Sequence, residues 1–169
     1  MKNNKLYFVL IALVLLVFTM AGKSSESWHG FNEGLEIAKE SEKPTIIDFY
    51  TSWCHWCDVM DEKTFSDPEV KDFLEEKFVT IRIDAENKNS SHTFRGQEYN
   101  SVELTRAFNV SGFPSLAFLD GQQNVVTVIP GYIPADKFIK LLEYMDMECY
   151  KKQVSFEKYM EEGCNQEGE

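Results

Sequence analysis

Basic residues are scarce in this sequence: 17 lysines and arginines face 28 aspartates and glutamates, for a formal net charge of −11. The deficit argues against nucleic acid as a ligand and against docking on anionic lipid, since both need a positive surface. Most of the acidic side chains read as a solvated face. Cysteine is scarce as well, with four residues in all and none in positions 1–21, which excludes a lipid-modified N-terminus. Long apolar runs are absent except at residues 6–17, which follow Lys2 and Lys5 and precede Thr19-Met20-Ala21. That layout predicts a secretory signal over residues 1–21, cleaved after Ala21. The alternative is an uncleaved anchor, although residues 6–21 fall at or just below the ~17 apolar residues that span a bilayer. Either arrangement puts the remainder in a periplasmic or other extracytoplasmic space, where disulfides persist. Without residues 1–21 and their two lysines, 148 residues with a net charge of −13 would remain, enough for one domain with a proper core.

The informative stretch is residues 45–61. It opens as a β-branched and aromatic run, Thr45-Ile46-Ile47-Asp48-Phe49-Tyr50, the composition of a buried strand. After Thr51-Ser52 come Cys54 and Cys57, whose spacing places both sulfurs on one face of a helix's first turn, near enough to bond. A helix start offers unpaired N–H groups and the positive end of the dipole, and both favour a thiolate on Cys54. Asp48, among Ile46, Ile47 and Phe49, is expected to be buried, with a raised pKa that lets it hold a proton near neutrality. Such a group suits a general base for the Cys57 thiol. Asp61 falls on the same helical stripe as the two cysteines, placed to raise the thiol pKa values or relay a proton. His55 and Trp56 fill the positions between the cysteines, which bear on reduction potential. A zinc site of Cys54, His55 and Cys57 is the rival reading of the cluster, but it lacks a nearby fourth ligand, so no metal is assigned.

Taken in order, the rest reads as alternating helices and strands. Trp28, Phe31, Leu35 and Ala38 recur at helical spacing until Lys43-Pro44, with His29 a surface residue near the start. Ser66-Asp67-Pro68-Glu69 has the form of a capping box with proline in the first turn. Residues 78–83 read as a central strand, and residues 86–100 as a polar loop containing a solvated His92. Residues 101–108 form a short helix, residues 115–119 and 125–129 a hairpin, and Pro134 opens a final amphipathic helix bearing Phe138, Leu141, Leu142 and Met145.

The segment Asp48-Phe49-Tyr50-Thr51-Ser52-Trp53-Cys54-His55-Trp56-Cys57 resembles the active-site segment of thioredoxin-fold thiol–disulfide oxidoreductases. Gly112-Phe113-Pro114 resembles that family's loop, and Thr64-Phe65-Ser66-Asp67-Pro68-Glu69-Val70 is similar to a segment of the C-terminal domain of the DsbD family. The resemblance implies an α/β thioredoxin fold, with helices flanking a central mixed β-sheet over residues 22–148. It implies that Cys54 attacks a disulfide, that Cys57 resolves the mixed disulfide and that Asp48 manages the proton. It also implies a cis peptide bond before Pro114, facing the cysteines, with the Phe113 backbone pairing with the substrate strand. Trp53, His55, Trp56, Phe113 and Pro114 would then frame the contact surface. The sequence departs from thioredoxin at His55-Trp56, where thioredoxin has Gly-Pro, and at Thr80, taken as the place of the lysine that partners the buried aspartate.

Residues 149–169 are expected to fold back on the domain as a helical extension, with Cys149 and Cys164 in a structural disulfide. The combined expectation is an exported thiol–disulfide oxidoreductase that reduces disulfides of envelope proteins. It would need no cofactor and would be re-reduced by a membrane or envelope electron donor. The alternatives are a disulfide oxidase or isomerase on the same fold, or a non-catalytic binder of metal or of client cysteines.

Overall fold

In the computed structural model, the described residues are 28–164. The proposed leader at residues 1–21 and the last residues of the tail, 165–169, lie outside them. The first helix, α1, spans Phe31–Ser41 and buries Phe31, Leu35 and Ala38. Trp28 does not belong to it. It precedes the helix in an extended segment, where His29 bridges to Ile81 and the backbone bonds to Thr80 and Arg82. The spacing of Trp28 is helical by coincidence, because its ring packs on Phe65 at 4.9 Å, away from the α1 stripe.

Strand β1 is Thr45–Tyr50. Helix α2, His55–Met60, follows it and runs on into a π-helical turn, Asp61–Phe65. Helix α3, Pro68–Lys77, starts at Asp67, whose carboxylate accepts the backbone N–H groups of Glu69 and Val70. The expected cap was Ser66, one residue earlier. Its hydroxyl instead donates to the Glu62 carbonyl and closes the π turn, which leaves the capping to Asp67.

Strand β2, Val79–Asp84, pairs parallel with β1, while β5, Ser115–Leu119, pairs antiparallel on the other side of β1, and β6, Val125–Pro130, pairs antiparallel with β5. The sheet order β2-β1-β5-β6 leaves β1 central. Residues 86–100 are more than a loop. They carry a small hairpin of β3, His92–Phe94, and β4, Gln97–Tyr99, turned at Arg95 and Gly96, both with positive φ. Its strands are too short for alternation to show in the sequence. His92 is not simply solvated. Its Nε2 lies 2.9 Å from Ser101 Oγ and its ring packs on Phe31, and burial lowers its pKa. Helix α4 is Ser101–Ala107, with a capping box between Asn100 and Glu103. Helix α5 is Ala135–Asp146, and α6 is Phe156–Glu162.

Alternation along β1 sends its side chains to two cores. Ile47 and Phe49 meet Phe31 and Leu35 of α1 and Leu104 of α4 on one face. On the other, Ile46 meets Met60, Phe65, Val70, Leu74 and Phe138, contributed by α2, the π turn, α3 and α5. Asp48 points to this second face, beneath α2, and it is this placement that builds the site.

Candidate active site

The chain leaves β1 through Thr51 and enters α2 with Cys54 as the N-cap residue, in extended geometry. The Cys57 backbone N–H donates to Cys54 Sγ at 3.1 Å, so an orphan donor of the helix start is aimed at the sulfur where thiolate charge would sit. Cys54 and Cys57 are disulfide-bonded, with Cα atoms 5.3 Å apart. Both are nearly covered, whereas the flanking Trp53 and Trp56 are exposed to 66% and 55%. The two sulfurs therefore sit beneath an apolar shelf open to a partner.

The shelf is held from three sides. Trp53 Nε1 donates to Glu86 Oε2 at 2.9 Å, and its ring meets Phe113 edge-on at 6.1 Å. Trp56 lies between His55, at 5.8 Å, and Tyr132, on which it stacks at 5.6 Å. The Phe113–Pro114 peptide bond is cis, and the Pro114 carbonyl accepts from the Gly131 backbone N–H at 2.8 Å. The loop before β5 and the turn after β6 thus meet beside the cysteines. Trp53, His55, Trp56, Phe113 and Pro114 all gather at this end of the sheet. Glu86 and Tyr132 join them without any local signal in the sequence.

Beneath α2, Asp48 is 1% exposed. Burial pushes its pKa up to about 7; the nearby Arg82 pulls the other way, and Asp61 adds to the rise. Arg82 Nε lies 3.1 Å from Asp48 Oδ2, within ion-pair distance but off the line of a hydrogen bond, and Asp48 Oδ1 is buried against no donor. The guanidinium thus opposes the desolvation of Asp48 without cancelling it. Arg82 Nη2 donates instead to both oxygens of Asp61, at 2.9 and 2.8 Å. Its planar group is bracketed by the Tyr50 ring at 4.5 Å and the Trp28 ring at 5.5 Å.

Here the structure corrects the sequence reading of Thr80. The cation beside the aspartate is present, and it is Arg82. In the parallel register Thr80 lies opposite Ile46, while Arg82 lies opposite Asp48. Only the strand pairing fixes which β2 residue meets Asp48; counting along one strand does not. Asp61, expected on the cysteine stripe, stands where α2 gives way to the π turn, with its carboxylate committed to Arg82.

Cys149 and Cys164 form the second disulfide, remote in sequence from the first and buried to 0% and 4% exposure. Among the described residues, no group of three or more His, Cys, Asp or Glu side chains is arranged to hold a metal ion. No helix among them is long and apolar enough to cross a membrane.

A family model described as "Thioredoxin-like domain" matches residues 31–146. The chain belongs to the thioredoxin-like domain family. Curated relatives include "Disulfide bond reductase DsbH" of Chlamydia pneumoniae, 32% identical over 96 residues that make up 56% of this chain and 57% of that protein. Another is "Thiol:disulfide interchange protein DsbD" of Vibrio vulnificus, 31% identical over 111 residues, 64% of this chain but only 17% of that protein. Among solved structures, a thioredoxin from Thermus thermophilus superposes with a TM-score of 0.57 at 27% identity, covering 70% of this chain and 85% of that one. A Cys-x-x-Cys disulfide at the start of α2 of a thioredoxin-like domain, with relatives of this kind, makes the chain a thiol–disulfide oxidoreductase of the DsbH and DsbD type.

Proposed function

We propose that this thioredoxin-like protein is an exported reductant of protein disulfides. The Cys54 thiolate attacks one sulfur of a client disulfide and expels the other as a thiolate. Cys57 then gives its proton to Asp48 and attacks the Cys54 sulfur, which releases the second client thiol. The client gains two electrons and two protons, and the Cys54–Cys57 pair ends as a disulfide. A dithiol donor in the envelope or its membrane must restore the reduced pair.

One observation carries this reading: an acid that titrates at about 7 lies buried on the sheet face under α2, the helix that Cys54 opens. A group with that affinity can accept a proton from a thiol and return it at neutral pH. Asp61 acts on Asp48 through Arg82, while Trp53, His55, Trp56, Phe113 and Pro114 form the surface on which the client lies. Cys149–Cys164 serves as a structural bond, and residues 22–148 and 149–169 behave as domain and packed extension. Export is supported by the layout of residues 1–21 and by that second buried disulfide, a bond type at home outside the reducing cytoplasm.

The deciding measurement is the reduction potential of the Cys54–Cys57 pair. The reading expects a value nearer thioredoxin's ~ −270 mV than DsbA's ~ −120 mV, with dithiothreitol-driven reduction of insulin. A potential above about −150 mV would make the protein an oxidant and overturn the direction proposed here.

A further inference from the structure

Beyond the family-matched residues, the tail reaches back toward the active site. Its Phe156, at the start of α6, forms one wall of a cavity of about 290 Å³ whose other walls include Ile129, Ile133 and Leu141. Tyr132 stands at the mouth, and Lys137 is the one charged residue in the lining. Tyr132 is also the residue stacked on Trp56, between the two cysteines, at 5.6 Å. The cavity therefore begins one ring away from the Cys54–Cys57 pair and continues the exposed tryptophan shelf.

Phe156 is held in place from several sides. Its ring packs on Tyr144 at 5.5 Å and on Tyr159 at 6.2 Å. The Tyr144 hydroxyl donates to the Val154 carbonyl at 2.7 Å, and the Tyr159 hydroxyl donates to Glu143 Oε2 at 2.9 Å. The Cys149–Cys164 disulfide brackets this whole segment.

We propose that the stapled C-terminal extension completes a specificity subsite, which takes an apolar side chain next to the cysteine of a client polypeptide. The proposal rests on the disulfide-exchange reading above. A client that lays its sulfur against Cys54 must cross the shelf of Trp53 and Trp56, and its neighbouring residues then arrive at Tyr132. The aliphatic and aromatic walls favour an apolar side chain over a polar one, since burial removes its surface from water. Lys137, in a lining with no other charge and on a chain of net charge −11, favours an acidic residue beside it. A polypeptide is the occupant because the cavity and the reacting sulfurs lie on one continuous surface, which a small disulfide would not span.

The test uses short disulfide-linked peptides with leucine or serine placed, in turn, at the two positions on each side of the cysteine. At one position the wild-type protein should reduce the leucine peptide with a kcat/KM roughly tenfold above the serine peptide. Phe156→Ala should bring that ratio close to one, and Phe156→Leu should restore most of it. Alkylation must show Cys149–Cys164 still closed in each variant, so that loss of the tail's fold is not read as loss of the wall. With aspartate or lysine at the adjoining position, Lys137→Glu should reverse the preference for aspartate. A wild-type ratio near one at every position, or a Phe156→Ala ratio equal to wild type, overturns the subsite. If the wild-type protein reduces neither insulin nor any peptide, the exchange reading itself has failed.

Discussion

Cys54 and Cys57 are three residues apart at the mouth of a helix, while Cys149 and Cys164 are 15 apart and close the tail onto the end of α5. The first pair has a backbone N–H aimed at its leading sulfur, an acid poised near neutrality beneath it and two exposed tryptophans beside it. Around the second pair, Cys164 Sγ has the Lys152 amine at 3.5 Å and the Met147 carbonyl at 3.9 Å, and Cys149 is wholly covered. The same bond therefore serves two ends. Across a short loop beside an open shelf it can be exchanged at little cost to the fold. Across a longer loop in a covered setting it mainly restricts the unfolded chain.

The largest expected effect separates the two pairs by activity. Cys54→Ser should bring insulin reduction down to the rate without protein, and Cys57→Ser should accumulate a client mixed disulfide visible on non-reducing gels. The paired change Cys149→Ser with Cys164→Ser should keep most turnover wherever the variant remains folded. Equal loss in both would break the comparison.

Next comes Asp48. Its folded pKa, about 7, lies above the ordinary 3.8, so the folded state holds the proton more tightly than the unfolded chain does. Stability from that proton is complete below the ordinary value, falls as pH rises through the window between the two, and is gone above about 7. Asp48→Asn should therefore match wild type in denaturant unfolding at pH 3.5 and exceed it by on the order of 4 kcal/mol at pH 8. The same variant should slow the release of client from Cys54 most at neutral pH. A wild-type advantage in stability at pH 8 would contradict the buried, titrating carboxyl.

Removal of the tail bond by Cys149→Ser with Cys164→Ser should cost about 3 kcal/mol on the chain-entropy account of a 15-residue loop. Opening Cys54–Cys57 alone should cost less, because the loop it closes is shorter. Native protein treated with dithiothreitol and an alkylating agent should label the first pair well before the second. The smallest effect belongs to Glu86→Gln, which weakens an exposed contact to Trp53 and should change stability by less than about 1 kcal/mol, with a modest rise in KM for insulin.

Much of this was legible from local pattern. β1, the turn into Cys54 and the β5–β6 hairpin are each specified by a few adjacent residues, and their bounds agree with the sequence to within a residue. The tail helix followed from its aromatic set. Features that depend on pairing between distant segments were not legible. Arg82 became the partner of Asp48 only through the β1–β2 register, and Tyr132 became a neighbour of Trp56 only when the turn after β6 was laid against α2. The β3–β4 hairpin was hidden because three-residue strands leave no periodicity to read. Trp28 misled in the other direction, since helical spacing is satisfied by chance just ahead of α1.

The π turn at Asp61–Phe65 carries a consequence for how this chain can change length. A π turn holds one residue more than the α-helical turn it replaces, and Thr64 within it donates to the Ile133 carbonyl at 2.6 Å while Phe65 packs edge-on against Phe138 at 5.8 Å. Deleting a single residue there would let the segment relax to α-helix and rotate everything after it by about 100°, at 3.6 residues per turn. Thr64 and Phe65 would swing out of their contacts with α5 and the turn before it, and α3 would present the wrong face to the sheet. The polar segment around β3 and β4 has no such constraint on its outer turn. Natural gains and losses of residues should therefore collect near Arg95 and Gly96 and be absent from positions 61–65.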